Sequence, residues 1–191
     1  PLSGNKMTAM TCLSFLRIAA VCAGLDTGDP APGFLVVDLD GKKHSLNPVS
    51  LVPGRALPPQ PVFVIDFFAT WCKPCQKLIP HLEALQKSYG SGLRILLVDY
   101  AEDRETLSKY VRDRSVALAA VHDSGGRLVA RRYGLMDDAK TSLPVTVIID
   151  RERNIALFLR GDVKDKPAAL DGALRRLLGP PPVSQGQTGA P

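Results

Sequence analysis

The chain has 191 residues, of which 45% are hydrophobic and 23% are charged. This composition fits one globular domain with loose ends, and it excludes collagen, a coiled coil and a fully disordered chain. The 24 Lys and Arg residues and the 19 Asp and Glu residues give a formal net charge of +5. Because the charges form no long run of one sign, the excess is typical of a solvated surface, and we expect no nucleic-acid partner.

The N-terminal segment 1–25 has the pattern of a signal or an anchor. From residue 7 to residue 25 it is mostly apolar, with Arg17 as its only charge, and it ends in small residues. A membrane span needs about twenty apolar residues, and Arg17 divides this stretch. Three interpretations stay open: a secretory signal cleaved after Ala23, an uncleaved or lipid anchor that uses Cys22, and a cytosolic start. The first two predict an exported, periplasmic protein, either free or tethered to the membrane.

Strand patterns recur along the rest of the chain. They are apolar runs rich in β-branched residues or short alternating stretches, and they lie at 34–38, 43–46, 62–68, 93–99, 116–121, 145–150 and 155–160. A tight turn at Asp40-Gly41 joins the first two. Five prolines mark residues 47–61 as a loop.

Helical patterns separate most of these strands. They lie at 74–89, from the cap Asp103 to residue 114, at 126–133 and at 167–178. Because strands and helices alternate and a hairpin closes the sheet, the predicted fold is α/β with a mixed central sheet. We expect residues 26–178 to form one domain and residues 179–191 to be a disordered tail rich in Pro and Gly.

The run Cys72-Lys73-Pro74-Cys75 is the candidate reactive site. A domain of this size needs no disulfide staple, so these cysteines require another explanation. The run leaves a buried strand and begins a helix, which places Cys72 at the helix N-terminus. Unpaired backbone N–H groups and the helix dipole stabilise a thiolate there, and cysteine pKa values in such motifs fall from about 8.5 to between roughly 3.5 and 7.5. We predict that Cys72 attacks a substrate disulfide and that Cys75 resolves the mixed disulfide.

Metal binding is the alternative use of such a pair. Zinc needs two more thiolate or imidazole ligands, whereas Cys12 and Cys22 lie in the leader and the three histidines are scattered. We therefore expect no metal and no other bound cofactor. His122, at the end of a strand, is the candidate third ligand if Cys72 and Cys75 bind Cu(I).

Several separated motifs together resemble the redox pattern of the thioredoxin fold. They are Asp66, the run from Trp71 to Cys75, Pro80, and Leu143-Pro144 before the strand at 145–150. The stretches 28–34, 38–42 and 98–123 are similar to the TlpA/ResA branch of exported or membrane-tethered thiol–disulfide oxidoreductases. The resemblance covers residues 28–178. It implies a thioredoxin-like fold, with a central mixed β-sheet flanked by helices and an N-terminal β-hairpin.

The resemblance also implies roles for individual residues. Pro144 matches the cis-proline beside the cysteines, and the backbone of Leu143 is expected to pair with an extended substrate strand. Asp66 matches a buried acid that takes the proton of Cys75, although a strand-end residue without a chemical role stays open.

The residues around the cysteines complete the predicted substrate-binding surface. Trp71 is expected to shield the disulfide. Lys73 adds a cation that favours the thiolate of Cys72, and Pro74 lies beside it. Packing alone for Trp71 and a solvated side chain for Lys73 are the plainer alternatives.

Two departures from the ResA pattern limit what the resemblance implies. Leu78 stands where members similar to ResA carry a Glu, which weakens a transfer of their role in cytochrome c biogenesis. The Pro-rich loop 47–61 is also longer than the usual connection.

The leading hypothesis is therefore a monomeric, exported thiol–disulfide oxidoreductase without a cofactor. It is expected to act on protein disulfides, as a reductant fed by a membrane electron donor rather than as an oxidant. Three alternatives stay open: a Cu(I)-handling module, a peroxiredoxin-like peroxidase, and a non-catalytic interaction domain.

Overall fold

The computed structural model describes residues 25–46, 60–124, 128–135, 143–162 and 164–182. The predicted leader with Cys12 and Cys22, most of the Pro-rich loop, the start of the predicted helix at 126–133 and most of the predicted tail lie outside the described residues. The strands are β1 Phe34–Val37, β2 Lys43–Leu46, β3 Val62–Phe68, β4 Leu93–Tyr100, β5 Ala119–Asp123, β6 Val145–Ile149 and β7 Ile155–Arg160. The helices in these ranges are α1 Lys73–Tyr89, α2 Arg104–Asp113 and α3 Lys166–Leu178.

The central sheet has the strand order β5-β4-β3-β6-β7. Strands β3, β4 and β5 run parallel, whereas β6 and β7 pair antiparallel to their neighbours. A separate two-stranded sheet joins β1 to β2. The predicted mixed sheet with an N-terminal hairpin is thus confirmed.

Strand β3 lies at the centre because both of its faces are covered. All seven of its residues are buried. On one face Val64 and Phe68 pack in a cluster with leucines of α1 and α3. On the other face Phe63 and Phe67 pack with the hairpin and Tyr133. Burial on both faces explains the continuous apolar sequence of this strand, and it makes Asp66 within it conspicuous.

Helix α1 follows the apolar pattern of its sequence. Leu78, Leu82 and Leu85 are buried against the sheet. The helix ends at Gly90, whose φ of +54° lies in the region that glycine adopts without steric cost. No helix within the described ranges is long and apolar enough to cross a membrane.

The strand predicted at 116–121 instead runs over Ala119–Asp123. Before it, the N–H of Val116 donates to the carbonyl of Val111, and the N–H of Ala117 donates to Glu83 Oε1 at 2.8 Å. These two N–H groups therefore cannot form hydrogen bonds with a neighbouring strand. The strand continues through His122 and Asp123 because their backbones pair with β4.

The helix predicted at 126–133 is, over its described part, a short 3-10 turn at Ala130–Tyr133. The carboxylate of Asp123 accepts the N–H groups of Leu128, Val129 and Ala130. These bonds attach the turn to the end of β5, and this contact is not readable from local periodicity.

Candidate active site

Cys72 and Cys75 form a disulfide at the start of α1, with their Cα atoms 5.3 Å apart. Strand β3 ends at Phe68, and the chain turns so that the N–H of Cys72 donates to the carbonyl of Ala69. Cys72 is the N-cap of α1, and its Sγ accepts the N–H of Cys75 at 3.3 Å. Once the disulfide is reduced, the same N–H and the helix N-terminus favour a thiolate on Cys72.

The disulfide itself exposes little surface, whereas its neighbours are open to solvent. Cys72 is 4% exposed and Cys75 is fully buried, but Trp71 is 65% exposed. Lys73 is exposed and Pro74 is half-buried. These three neighbours are the residues that the sequence analysis expects to bind substrate, and their roles in binding stay predictions.

The Leu143–Pro144 bond is cis, as predicted. Pro144 is buried and directly precedes β6, in which Val145 pairs with Phe67 of β3. The cis-proline turn therefore lies at the end of the sheet from which the chain continues to Cys72. Leu143, which is half-buried, packs against the clusters on both faces of the sheet.

Asp66 is a fully buried carboxyl group with few hydrogen bonds. Side chains alternate along β3, so Asp66 faces the same side as Val64 and Phe68, the side on which Cys72 and Cys75 also pack. Its Oδ1 accepts the hydroxyl of Thr146 at 2.6 Å, and its Oδ2 has no hydrogen-bond partner among the residues described. Burial raises the pKa of Asp66 to about 7, against the opposing effects of Thr146 and Lys166.

Lys166 is a buried cation that sequence reasoning missed. Its Nζ donates to the carbonyl of Pro144 at 2.9 Å and to Thr146 Oγ1 at 3.3 Å. Burial lowers the pKa of Lys166, and the charges of Asp66 and Asp162 partly oppose this. The side chain thus connects the cis-proline turn to the buried acid through Thr146. A lysine before a proline at a helix start gives no local signal of burial, because such residues are usually solvated.

Two further acidic residues, Glu102 and Asp99, lie near the turn before the disulfide. Glu102 accepts two hydrogen bonds from Thr70, from its N–H to Oε2 and from its hydroxyl to Oε1, both at 2.6 Å. The N–H of Glu102 donates to Oδ2 of Asp99, which is fully buried at the end of β4. Burial and the Glu102 carboxyl raise the pKa of Asp99 well above its ordinary value near 3.8. Sequence reasoning did not identify this pair either.

The histidines divide by environment. His122 Nδ1 lies 3.6 Å from Asp99 Oδ2, and His81 pairs with Asp171. His44 is buried, and its Nε2 lies 2.7 Å from Oδ2 of Asp38. Within the ranges that the structure describes, no three His, Cys, Asp or Glu side chains come together to hold a metal ion, so the proposed Cu(I) site with His122 finds no support.

The fold and the disulfide define a class of protein, a thiol–disulfide oxidoreductase with a thioredoxin-like fold. A family model supports this at the level of sequence. The chain belongs to the AhpC/TSA family, whose model matches residues 27–158.

Curated relatives carry names consistent with this class. Thiol-disulfide oxidoreductase ResA of Bacillus thuringiensis subsp. konkukian (strain 97-27) is 28% identical over 139 residues, 72% of each chain. Thioredoxin-like protein YneN of Bacillus subtilis (strain 168) is 32% identical over 130 residues, 68% of each chain.

Solved structures share the architecture. The thiol:disulfide interchange protein of the thioredoxin family from Chlorobium tepidum TLS superposes with a TM-score of 0.60 at 25% identity, over 80% of this chain and 97% of that chain. A second Chlorobium tepidum structure gives a TM-score of 0.67 at 24% identity, over 82% of this chain and 100% of that chain. The second likeness supports the fold alone.

Proposed function

We propose that this protein reduces disulfide bonds in exported proteins through the Cys72–Cys75 dithiol. The observation that carries the proposal is a cysteine pair at a helix N-terminus, with a buried, incompletely hydrogen-bonded carboxyl group on the same face of the sheet. The names of the ResA and interchange-protein relatives support the same chemistry.

The reaction starts from the reduced dithiol. The thiolate of Cys72 attacks one sulfur of a substrate disulfide, which forms a mixed disulfide and releases the other substrate sulfur as a thiolate. Cys75 then loses its proton and attacks Cys72 Sγ, which releases the second substrate thiolate and forms the Cys72–Cys75 bond. Two electrons have moved from the protein to the substrate. An external dithiol donor returns the protein to its reduced form.

Asp66 is the proposed acceptor of the Cys75 proton. A carboxyl group whose pKa is about 7 is partly ionised at neutral pH, so it can accept a proton without a large free-energy cost. Its Oδ2 carries no competing hydrogen bond from the described residues. Thr146 orients the other oxygen.

The substrate is proposed to bind across the exposed face beside the disulfide. Trp71, Lys73 and Pro74 contact it on one side, and the backbone of Leu143 beside the cis-proline pairs with an extended strand on the other. Main-chain pairing suits a protein that acts on many disulfide-containing proteins, because it reads no particular side chain.

We further propose that the protein is exported and works as a monomer with a membrane electron donor. The apolar segment before residue 26 supports export. Leu78, where ResA-like relatives carry a Glu, is buried in the core. We therefore propose general disulfide reduction rather than a dedicated step of cytochrome c maturation.

The reduction potential of the Cys72–Cys75 pair tests the direction of electron flow. It is measured by Trp71 fluorescence in defined thiol buffers, with Cys12 and Cys22 replaced by Ser. A potential below about −220 mV is expected for a reductant, whereas a value near about −120 mV would make the protein an oxidant. The absence of any two-electron transition would overturn the redox function.

A trapping experiment tests the substrate class. The Cys75→Ser variant is expected to accumulate a mixed disulfide through Cys72 with a disulfide-containing protein, and the Cys72→Ser variant is expected to form none. The family match makes peroxide the competing substrate to examine. Rapid peroxide turnover that survives Cys75→Ser would favour a peroxidase over the proposed reductase.

A further inference from the structure

Thr70, in the turn before the disulfide, bonds to two distant or neighbouring side chains. Glu102, 32 positions away in sequence, uses both carboxylate oxygens to accept the N–H and the hydroxyl of this threonine. Gln76 of α1 donates to the Thr70 carbonyl at 2.5 Å. Trp71 and Cys72 follow directly, so the position of Glu102 bears on the geometry of the reactive sulfur.

Asp99 is the buried carboxyl group that contacts the backbone of Glu102. Asp99 is fully buried, and its Oδ2 accepts the N–H of Glu102 at 3.2 Å. Its Oδ1 has no hydrogen-bond partner in the part of the chain that the structure describes, and the neighbouring Glu102 carboxyl favours the protonated form of Asp99. A proton on Asp99 supplies a donor to Glu102, whereas an ionised Asp99 repels it at short range in a buried setting.

The other ionisable groups near the pair come from β3, β5 and α2. Asp66 of β3 lies on the same face of the sheet, two positions before the residue that pairs with Asp99. Asp123 adds a like charge that also favours the protonated form of Asp99. His122 approaches Asp99 from β5 with Nδ1 at 3.6 Å. Burial, together with the charge of Glu102, raises the pKa of Tyr110 of α2 above the usual 10, so Tyr110 stays neutral over the relevant range.

We propose that Asp99 and Glu102, here called the acid pair, are positioning residues: a proton on Asp99 keeps Glu102 bonded to Thr70, and this contact limits the reactivity of the Cys72–Cys75 disulfide. The inference rests on the proposed redox function. It adds a pH-dependent control of the same site, from residues at the end of the neighbouring strand on the face of the sheet that Asp66 also occupies. Loss of the proton weakens the contact with Thr70 and exposes Cys72, which is only 4% exposed in the oxidised form.

The test measures how fast dithiothreitol reduces the disulfide between about pH 6 and about pH 9.5, with each rate corrected for the reagent's own thiolate fraction. The wild-type protein is expected to show an additional rise of about threefold to tenfold above neutral pH, the effect of losing one or two net hydrogen bonds. Trp71, the one tryptophan of the chain, is expected to report the same step by fluorescence in the oxidised protein.

Three variants distinguish a specific effect of the acid pair on the disulfide from a general effect on the structure. Asp99→Asn keeps a donor to Glu102 and an acceptor for its N–H, so it is expected to retain the slow rate and to lose the step. Glu102→Ala is expected to be fast at every pH. Glu102→Gln is expected to keep the slow rate, because its amide can still bond both Thr70 groups. Its rate is expected to show no pH-dependent step.

The matched controls replace other acidic residues by their amides. Glu105→Gln and Asp113→Asn replace exposed acids of α2 and are expected to keep the wild-type profile. His122→Gln is also expected to keep the step, since the step belongs to a carboxyl group and not to an imidazole. Asp66→Asn separates the step from the titration of Asp66 at about pH 7: whatever its absolute rate, this variant is expected to keep the step.

Two results would overturn the inference: an Asp99→Asn profile that still contains the step, or a Glu102→Ala rate equal to that of the wild type at neutral pH. If Asp99→Asn does not fold, the two Glu102 variants decide the matter on their own. All these proteins keep a reducible Cys72–Cys75 bond, so failure of the inference leaves the redox transition intact. Failure of the proposed function would remove that transition from the wild type as well.

Discussion

Two buried aspartates in this protein have opposite environments. Asp38, after β1, accepts the N–H groups of Asp40 and Lys42 on Oδ1 and the Nε2–H of His44 on Oδ2. Asp66, in the middle of β3, accepts only the hydroxyl of Thr146 in the described structure. Both side chains are almost inaccessible to solvent.

The pKa values of the two groups shift in opposite directions for this reason. Burial opposes the ionisation of Asp38, but the hydrogen bonds of His44 and the backbone outweigh it and lower its pKa. Burial of Asp66 is offset only in part by Thr146 and Lys166, and its pKa rises to about 7. The comparison shows that hydrogen-bond satisfaction, rather than burial alone, distinguishes a structural carboxylate from one suited to accept a proton.

The largest expected effect concerns stability and pH. Because the folded-state pKa of Asp66 is raised, its protonated form stabilises the fold fully below the unfolded-state pKa, and this stabilisation is lost as pH rises to about 7. We expect the unfolding free energy from urea titrations to fall by a few kcal/mol over this range. In Asp66→Asn this component of the pH dependence should be absent; an unchanged pH dependence would contradict the assigned environment.

The next effect is kinetic. Asp66→Asn removes the proton acceptor, so resolution of a preformed mixed disulfide by Cys75 should slow about 100-fold at neutral pH, in the range typical of general-base catalysis. The measurement is a stopped-flow release of the substrate thiol. Asp38→Asn is the matched control and should resolve the mixed disulfide at the wild-type rate. Equal rates in the two variants would remove Asp66 from the mechanism.

Asp38→Asn should instead reduce stability. The substitution weakens the bonds to His44 and to two backbone N–H groups, at an expected cost of about 2 kcal/mol at neutral pH. Since the folded-state pKa of Asp38 is lowered, its contribution is present above the ordinary carboxyl range and is lost as pH falls through the folded-state value. Urea unfolding at neutral and acid pH should show the difference shrinking with acid, and a constant difference would argue against this assignment.

A smaller change should sharpen the contrast. Thr146→Val keeps the shape of the side chain but removes the one hydrogen bond that lowers the pKa of Asp66. The pH midpoint of mixed-disulfide resolution should move upward, by about one unit or less. Val147→Ile, which changes the adjacent buried position without removing a hydrogen bond, serves as the control. A midpoint that does not move would mean that Thr146 has no influence on the proton acceptor.

Much of the fold could be predicted because its signals are local. The apolar run of β3, the period of α1 and the turn at Asp40-Gly41 each specify their own element. The boundaries of β5 could not be predicted, because they depend on where Ala117 meets Glu83, a contact between distant parts of the chain.

The candidate site divides in the same way. Cys72, Cys75 and Pro144 stand in short motifs, and the structure brings them to one end of the sheet. Lys166 and Glu102 have no motif. Their positions follow from the packing of α3 against the sheet and from the turn after β4, so only tertiary structure identifies them.

A pH titration followed by carbon-13 NMR tests the contrast between the two aspartates most directly. It follows the carboxyl carbon signals of Asp66 and Asp38 in the oxidised protein. The Asp66→Asn and Asp38→Asn variants assign the two signals. Our expectation is a midpoint of about 7 for Asp66 and a midpoint below the ordinary value of 3.8 for Asp38. Titration of Asp66 in the ordinary carboxyl range would contradict it, because the group would then be ionised throughout the neutral range and unable to retain the proton of Cys75.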